Sequence, residues 1–203
     1  MIALIDYGAG NLTSVRKALA ALHTDVHTPQ DPAGLDAASG IIVPGVGHFA
    51  ATRNLEAGWR GAILARVERG VPLLGICLGM QWLFDGSDEA PELRGLGVIR
   101  GRCAKLTGPV KIPHVGWNSL DATKPSRLLA GVPQGAQVYF THSYAAPVTP
   151  ECAATSTHAT TFAAAVERDG VFGVQFHPEK SSAAGLQIVR NFLDVVEAHH
   201  RLS

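Results

Sequence analysis

The sequence predicts an α/β fold: a single domain, spanning 1–203, with a central, mostly parallel sheet, helices on both faces and an antiparallel extension in the second half. Three observations predict it. As far as Phe84, short apolar runs alternate with longer amphipathic ones, the strand–helix order of a parallel sheet. Beyond Pro91, short β-rich runs follow one another with turns between them and few helical segments. A chain of 203 residues that is 46% hydrophobic has enough apolar material for one sizeable core and not for two.

Each element follows in order. Ile2 to Ile5 reads as a strand, and Asp6-Tyr7-Gly8-Ala9-Gly10-Asn11 as a turn. Asn11 is a suitable cap for a helix over Leu12 to Leu22. Gly8 and Gly10 hint at a dinucleotide loop, but Thr13 stands where that pattern needs Gly or Ala, so a plain turn is expected. Asp25 to Thr28 is a short second strand and Gly40 to Val43 an apolar third. Pro44-Gly45-Val46-Gly47 then forces special backbone geometry at a strand's C-terminal end, where open α/β sheets bind ligands. A helix over Phe49 to Arg69 follows, with a break expected near Gly58. Val71 to Ile76 is too short for a typical helix and suits a strand buried on both faces, and Leu78 to Phe84 reads as a helix. In the second half, Val98–Leu106, Ala136–Phe140, Glu151–Thr157, Thr161–Val166 and Val171–Gln175 are expected as strands of the antiparallel extension. The last helix, Ser182 to His199, puts Leu186, Val189, Phe192, Leu193 and Val196 on one face.

Composition removes several classes of function. Lys plus Arg and Asp plus Glu both number 17, and no basic block or stripe is present, which argues against a nucleic-acid partner. No apolar run approaches the length needed to span a membrane. The N-terminus meets Asp6 after a few apolar residues and lacks a basic leader, so it reads as a first strand and not a signal peptide. Cys77, Cys103 and Cys152 are odd in number and far apart, which fits a reducing, cytoplasmic setting and neither a disulfide framework nor a zinc site.

The chemistry centres on Gly75-Ile76-Cys77-Leu78-Gly79. A strand ends, a cysteine follows, and a helix begins. That is the geometry of a nucleophile elbow, whose crowded turn needs small neighbours. A cysteine there faces backbone N–H groups and the positive end of a helix, which favour the thiolate. Backbone N–H groups near Val46 and Leu78 are the candidate oxyanion donors. The second half of the site is Phe176-His177-Pro178-Glu179. The proline pushes His177 to extended geometry, and in an extended chain residues i and i+2 share a side, so Glu179 is expected to meet and orient the imidazole. Cys77 and His177 then both stand at strand C-terminal ends, where a cysteine–histidine pair can form. No second His or Cys lies at ligand spacing from His177, so no metal is expected and nothing requires a cofactor. Read this far, a hydrolase and a binding module that retains the cysteine both remain open.

Together, Gly75-Ile76-Cys77-Leu78-Gly79-Met80-Gln81 and Phe176-His177-Pro178-Glu179 resemble the class I, or triad, glutamine amidotransferases over the whole chain. Pro44 to Phe49, Pro113-His114-Val115-Gly116-Trp117-Asn118 and His177 to Ser182 are similar to the glutaminase subunits of imidazole glycerol phosphate synthases, from histidine biosynthesis. The resemblance implies L-glutamine as substrate, glutamate and ammonia as products, and Cys77, His177 and Glu179 as the triad. It implies that Gly47, Gln81, Ser143 and Tyr144 hold the glutamine. It implies a heterodimer with a cyclase subunit, a (β/α)₈ barrel that consumes the ammonia. The docking face and ammonia gate would then include Trp117, Asn118, Tyr139 and Lys180, with Asn11 near the same face. The alternative is a glutaminase subunit of another synthase, or a freestanding cysteine hydrolase of γ-glutamyl bonds.

Overall fold

The structure is a computed structural model that describes residues 1–56 and 58–202. In the first half the strands are β1 (Ile2–Leu4), β2 (Val26–His27), β3 (Gly40–Val43) and β4 (Leu73–Ile76), interleaved with α1 (Leu12–Ala21), α2 (Trp59–Glu68) and α3 (Leu78–Trp82). The second half carries β5 (Gly86–Ser87), β6 (Arg102–Lys105), β7 (His114–Ala122), β8 (Ala136–His142), β9 (Tyr144–Ala145), β10 (Cys152–His158), β11 (Thr160–Arg168) and β12 (Val171–Val174). The long helix α4 (Ser182–Leu202) follows β12.

Nine strands form one sheet in the order β2-β1-β3-β4-β12-β11-β10-β7-β8. Pairing is parallel from β2 to β12 and antiparallel from β12 to β8. Successive residues of β1 go to opposite faces. Ala3 joins a core with Trp59 and Ile63 of α2, while Ile2 and Leu4 join one with Val15 and Leu19 of α1 and Ile188 and Phe192 of α4. Helices therefore cover both faces. All residues of β3 and β4 are buried, which explains their unbroken apolar sequences.

Several expectations need correction. Val171–Gln175 is expected within the antiparallel extension, and β12 does pair antiparallel with β11, but on its other edge it pairs in parallel with β4, Val174 opposite Ile76, so it lies in the middle of the sheet. Val98–Leu106 shortens to β6, which leaves the main sheet for a small three-stranded one with β5 and β9. The sequence reading also lacks β7, the nine-residue strand between β10 and β8. The expected Phe49–Arg69 helix is a 3₁₀ segment, Phe49–Leu55, followed by α2. The break falls at Gly58, whose φ of 88° is the left-handed conformation that glycine tolerates. Asn11 does cap α1, its side chain accepting from Ser14 N–H at 3.4 Å.

Candidate active site

The chain turns sharply between β4 and α3. Cys77 sits at φ 54°, ψ −108°, a strained backbone for a residue with a side chain, and its N–H donates to Val174 O of β12 at 2.8 Å. The flanking glycines are needed for close approach. A Cβ on Gly79 would lie 1.8 Å from Val43 O, and one on Gly75 would lie 2.6 Å from Gly79 O. The helix after the cysteine is only five residues long, shorter than Leu78 to Phe84.

Because β12 runs beside β4 in parallel register, the residues after Val174 emerge next to Cys77. Gln175 Nε2 points at Cys77 Sγ at 3.6 Å. His177 is buried, and its Nδ1 meets Glu179 Oε1 at 2.8 Å. The contact is as expected, but its geometry is not. His177 is extended at φ −100°, ψ 96°, whereas Pro178–Lys180 coils into a single 3₁₀ turn that brings the carboxylate back to the ring. The turn is stitched to β8. His177 N–H donates to Tyr139 O at 2.9 Å, and Ser181 Oγ both accepts from Tyr139 N–H at 2.9 Å and donates to His177 O at 2.7 Å.

Burial by itself pulls the His177 imidazolium down. Hydrogen bonding and charge from Cys77 and then from Glu179 outweigh it, and the ring is pushed up to about 9. Among the described residues its Nε2 has no partner of full hydrogen-bond geometry, and neither does Glu179 Oε2.

A cavity of about 260 Å³ opens over the cysteine. Gly47, Cys77, Leu78, Gln81, Ser143 and Tyr144 line it, so all four residues expected to hold substrate face one space. Gln81 is buried, and its Nε2 is already engaged by Tyr144 O at 2.8 Å and Gln175 Oε1 at 3.0 Å. Thr141, His142, Pro113 and Glu89 complete the wall. Glu89 and Gln175 were not singled out from sequence. One lies in a polar loop and the other directly follows β12, and only the tertiary fold brings them to the cavity and to the Cys77 sulfur. Glu89 Oε2 accepts from Phe49 N–H at 2.8 Å, which holds its carboxylate in the wall.

The two expected oxyanion donors are both occupied. Val46 N–H donates to Ala9 O, and Leu78 N–H donates to Gly45 O at 3.3 Å. A larger recess, about 510 Å³, lies at the opposite ends of the strands by Gly70 and Gly170. Its Arg127 is tied to Glu167 at 2.8 Å, and its Asn191 donates to Leu128 O and Ala130 O.

Comparison with known proteins settles the family. The family described as glutamine amidotransferase class-I matches residues 3–196. The chain belongs to it. Relatives of this class-I amidotransferase include imidazole glycerol phosphate synthase subunit HisH of Moorella thermoacetica, 47% identical over 199 residues, which cover 96% of this chain and 95% of that one. Another, of the same name, is from Geobacillus kaustophilus, 46% identical over 205 residues, with 96% and 97% covered. A solved glutamine amidotransferase superposes with a TM-score of 0.75 at 19% identity, covering 97% of this chain and 98% of that one. The structure of PurLQS from Thermotoga maritima gives 0.71 at 17%, with 95% and 97% covered. These two likenesses show the shared fold.

The remaining predicted residues of this amidotransferase fall outside the cavity. Trp117 and Tyr139 are register partners on β7 and β8, their rings edge to face at 6.0 Å, and Lys180 Nζ lies 5.9 Å from the Tyr139 ring. Trp117 is 52% exposed. Asn118 alternates to the other face, where its Nδ2 donates to Thr157 O at 2.9 Å. Asn11 stays at the start of α1 as its cap.

Proposed function

We propose that this chain hydrolyses L-glutamine to glutamate and ammonia, and that the ammonia passes directly to a cyclase partner making imidazole glycerol phosphate for histidine biosynthesis. What supports the pathway is the identity, 47% over 96% of the chain, to a protein named as a subunit of that synthase. What supports the chemistry is the strained cysteine beside a histidine–carboxylate pair at the rim of a polar cavity.

In this reading the Cys77 thiolate attacks the γ-carbonyl carbon of glutamine and forms a C–S bond. His177, held protonated by its neighbours, gives a proton to the departing nitrogen as the C–N bond breaks, and ammonia leaves. Water then attacks the thioester, His177 takes its proton, the C–S bond breaks, and glutamate is released. Glu179 holds the ring and stabilises its cation. Glu89, a carboxylate in the cavity wall, is the group we assign to the substrate's ammonium, while Gly47, Gln81, Ser143 and Tyr144 surround the rest. The oxyanion needs N–H donors, so Val46 or Leu78 must release its present carbonyl partner, Ala9 O or Gly45 O, during turnover.

Ammonia in neutral water is mostly ammonium and not nucleophilic, so hydrolysis is useful only if a second active site receives the product directly. The exposed Trp117, with Tyr139 and Lys180 beside it, is the face we assign to that partner, a (β/α)₈ barrel in a heterodimer. The three cysteines are free, buried thiols, and we assign the cytoplasm as the compartment. The test is co-purification with a candidate cyclase, followed by synthesis assays with glutamine and with ammonium salts. Cys77→Ala is expected to lose the first and keep the second. Strong peptide cleavage, or a variant that still uses glutamine, would overturn the reading.

A further inference from the structure

Two buried histidines that the reaction does not use form a continuous chain with the cavity wall. His142 Nδ1 lies 2.9 Å from Tyr144 O, and its Nε2 lies 3.0 Å from His114 Nδ1. His114 Nε2 lies 3.3 Å from Asn118 Nδ2. Each link has only one possible direction. A carbonyl oxygen accepts, so His142 carries its proton on Nδ1 and its Nε2 is bare. A bare nitrogen needs a donor, so His114 Nδ1 carries the proton there, and His114 Nε2 is bare in turn. Asn118 supplies the last donor. Its amide cannot be reversed, because Oδ1 accepts from Ser119 N–H at 2.8 Å and Nδ2 donates to Thr157 O at 2.9 Å.

We propose that His114 and His142 are positioning residues of the glutamine cavity, held neutral as Nδ1–H tautomers in a one-way chain from Asn118 on β7 to the Tyr144 carbonyl. A proton added to either ring sets two donors face to face at the next link. Shifting the tautomers only moves that clash toward Asn118, whose amide is fixed. Both rings are buried and packed against other rings. His114 is stacked between His158 at 4.1 Å and Phe140 at 4.8 Å, and Phe162 meets His142 edge-on at 5.0 Å. His158 is itself bound to Lys111 O at 2.8 Å. The titratable groups facing the pair are His158 from β10 and His177 from the turn after β12, and neither favours a second positive charge. In agreement, burial and these neighbours push His142 down to about 3 and His114 to about 4.

This arrangement matters beside a triad. His177 must hold a proton, and His142 is close enough to feel its charge. A wall residue that titrated in the same range would compete with it. A ring locked neutral fixes the Tyr144 carbonyl, which Gln81 also binds, without disturbing the proton on His177. The positioning role rests on the glutaminase reading, whereas the tautomers do not.

The deciding measurement is long-range ¹H–¹⁵N correlation of the imidazoles in the whole chain between pH about 8 and about 5. Both rings are expected as neutral Nδ1–H tautomers throughout. An Nε2–H pattern in either ring, or protonation of either above pH about 6, overturns the proposal. Labelling of Cys77 by a γ-diazoketone analogue of glutamine supplies a second readout. His142→Ala is expected to raise the half-saturating concentration about tenfold, the loss of one well-placed hydrogen bond, with a smaller change in the maximal rate. His142→Asn, which restores a donor near the Nδ1 position, is expected to recover part of that loss. Unchanged half-saturation in His142→Ala overturns the positioning role. If the unaltered protein is not labelled, the glutaminase reading is what fails, and the nitrogen spectra still decide the chain.

Discussion

The parallel and antiparallel halves of the sheet hold their functional groups by different means. In the parallel half, β3 and β4 are buried throughout, and Cys77 stands on a backbone corner that only close packing against Gly75 and Gly79 permits. In the antiparallel half, β7 and β8 leave many residues partly exposed, and the cavity wall after them is fixed by side-chain hydrogen bonds. One half fixes Cys77, the nucleophile we propose, through sterics. The other supplies a wall whose position depends on the protonation of its ring nitrogens. His177 belongs to the seam, because it follows β12, the strand that pairs parallel on one edge and antiparallel on the other.

Substitutions should separate the two halves. Cys77→Ala should lower glutamate release by about 10⁴-fold or more while leaving the fold intact, as checked by circular dichroism. Glu179→Gln, at the seam, should lower kcat by about 10²–10⁴-fold with little change in KM. It should also bring His177 down from about 9, which a pH–rate profile will register. Gly79→Ala should cost about 3 kcal/mol or more in urea unfolding, because its Cβ meets a backbone oxygen that cannot move away.

Stability against pH should fall on both sides, for opposite reasons. His177 has a raised pKa, so its contribution is complete below its unfolded value near 6.5 and is lost as pH climbs through about 9. His114 and His142 have lowered values. Their contribution is complete above about 6.5 and is lost as pH falls toward about 4 and about 3. Denaturant midpoints across pH should therefore show Glu179→Gln flattening the alkaline limb and His142→Asn the acid limb. The smallest effect is expected at Trp117→Ala. Being half exposed, it should change the isolated chain's stability by no more than about 0.5 kcal/mol, yet weaken pull-down of the cyclase by about 2 kcal/mol.

The same contrast explains what the sequence made legible. Gly40–Val43 is apolar without interruption because both its faces are buried, and its predicted bounds match the observed strand. Gly75-x-Cys77-x-Gly79 carries its steric requirement within five residues, and His177 and Glu179 are two apart, so both could be read locally. β7 could not. His114 to Ala122 is mostly part-exposed and follows no clean alternation, so it resembles a loop until β8 and β10 pair with it. Glu89 and Gln175 were missed because their roles depend on distant partners, Phe49 N–H for one and the Cys77 sulfur for the other. The rule that extended residues i and i+2 share a side reached the correct contact through the wrong backbone, since a 3₁₀ turn makes it.

The placement of β12 has a consequence for biogenesis. The strand ending at Ile76 leaves the ribosome about 95 residues before its neighbour Val171–Val174 does. At roughly 5–20 residues per second, that greasy edge stays open for about 5–20 s. The nascent chain therefore carries its sulfur early but cannot work until the residues up to Glu179 have been translated. A prematurely terminated product would be a sticky fragment prone to clumping, and not an enzyme leaking ammonia into the cell.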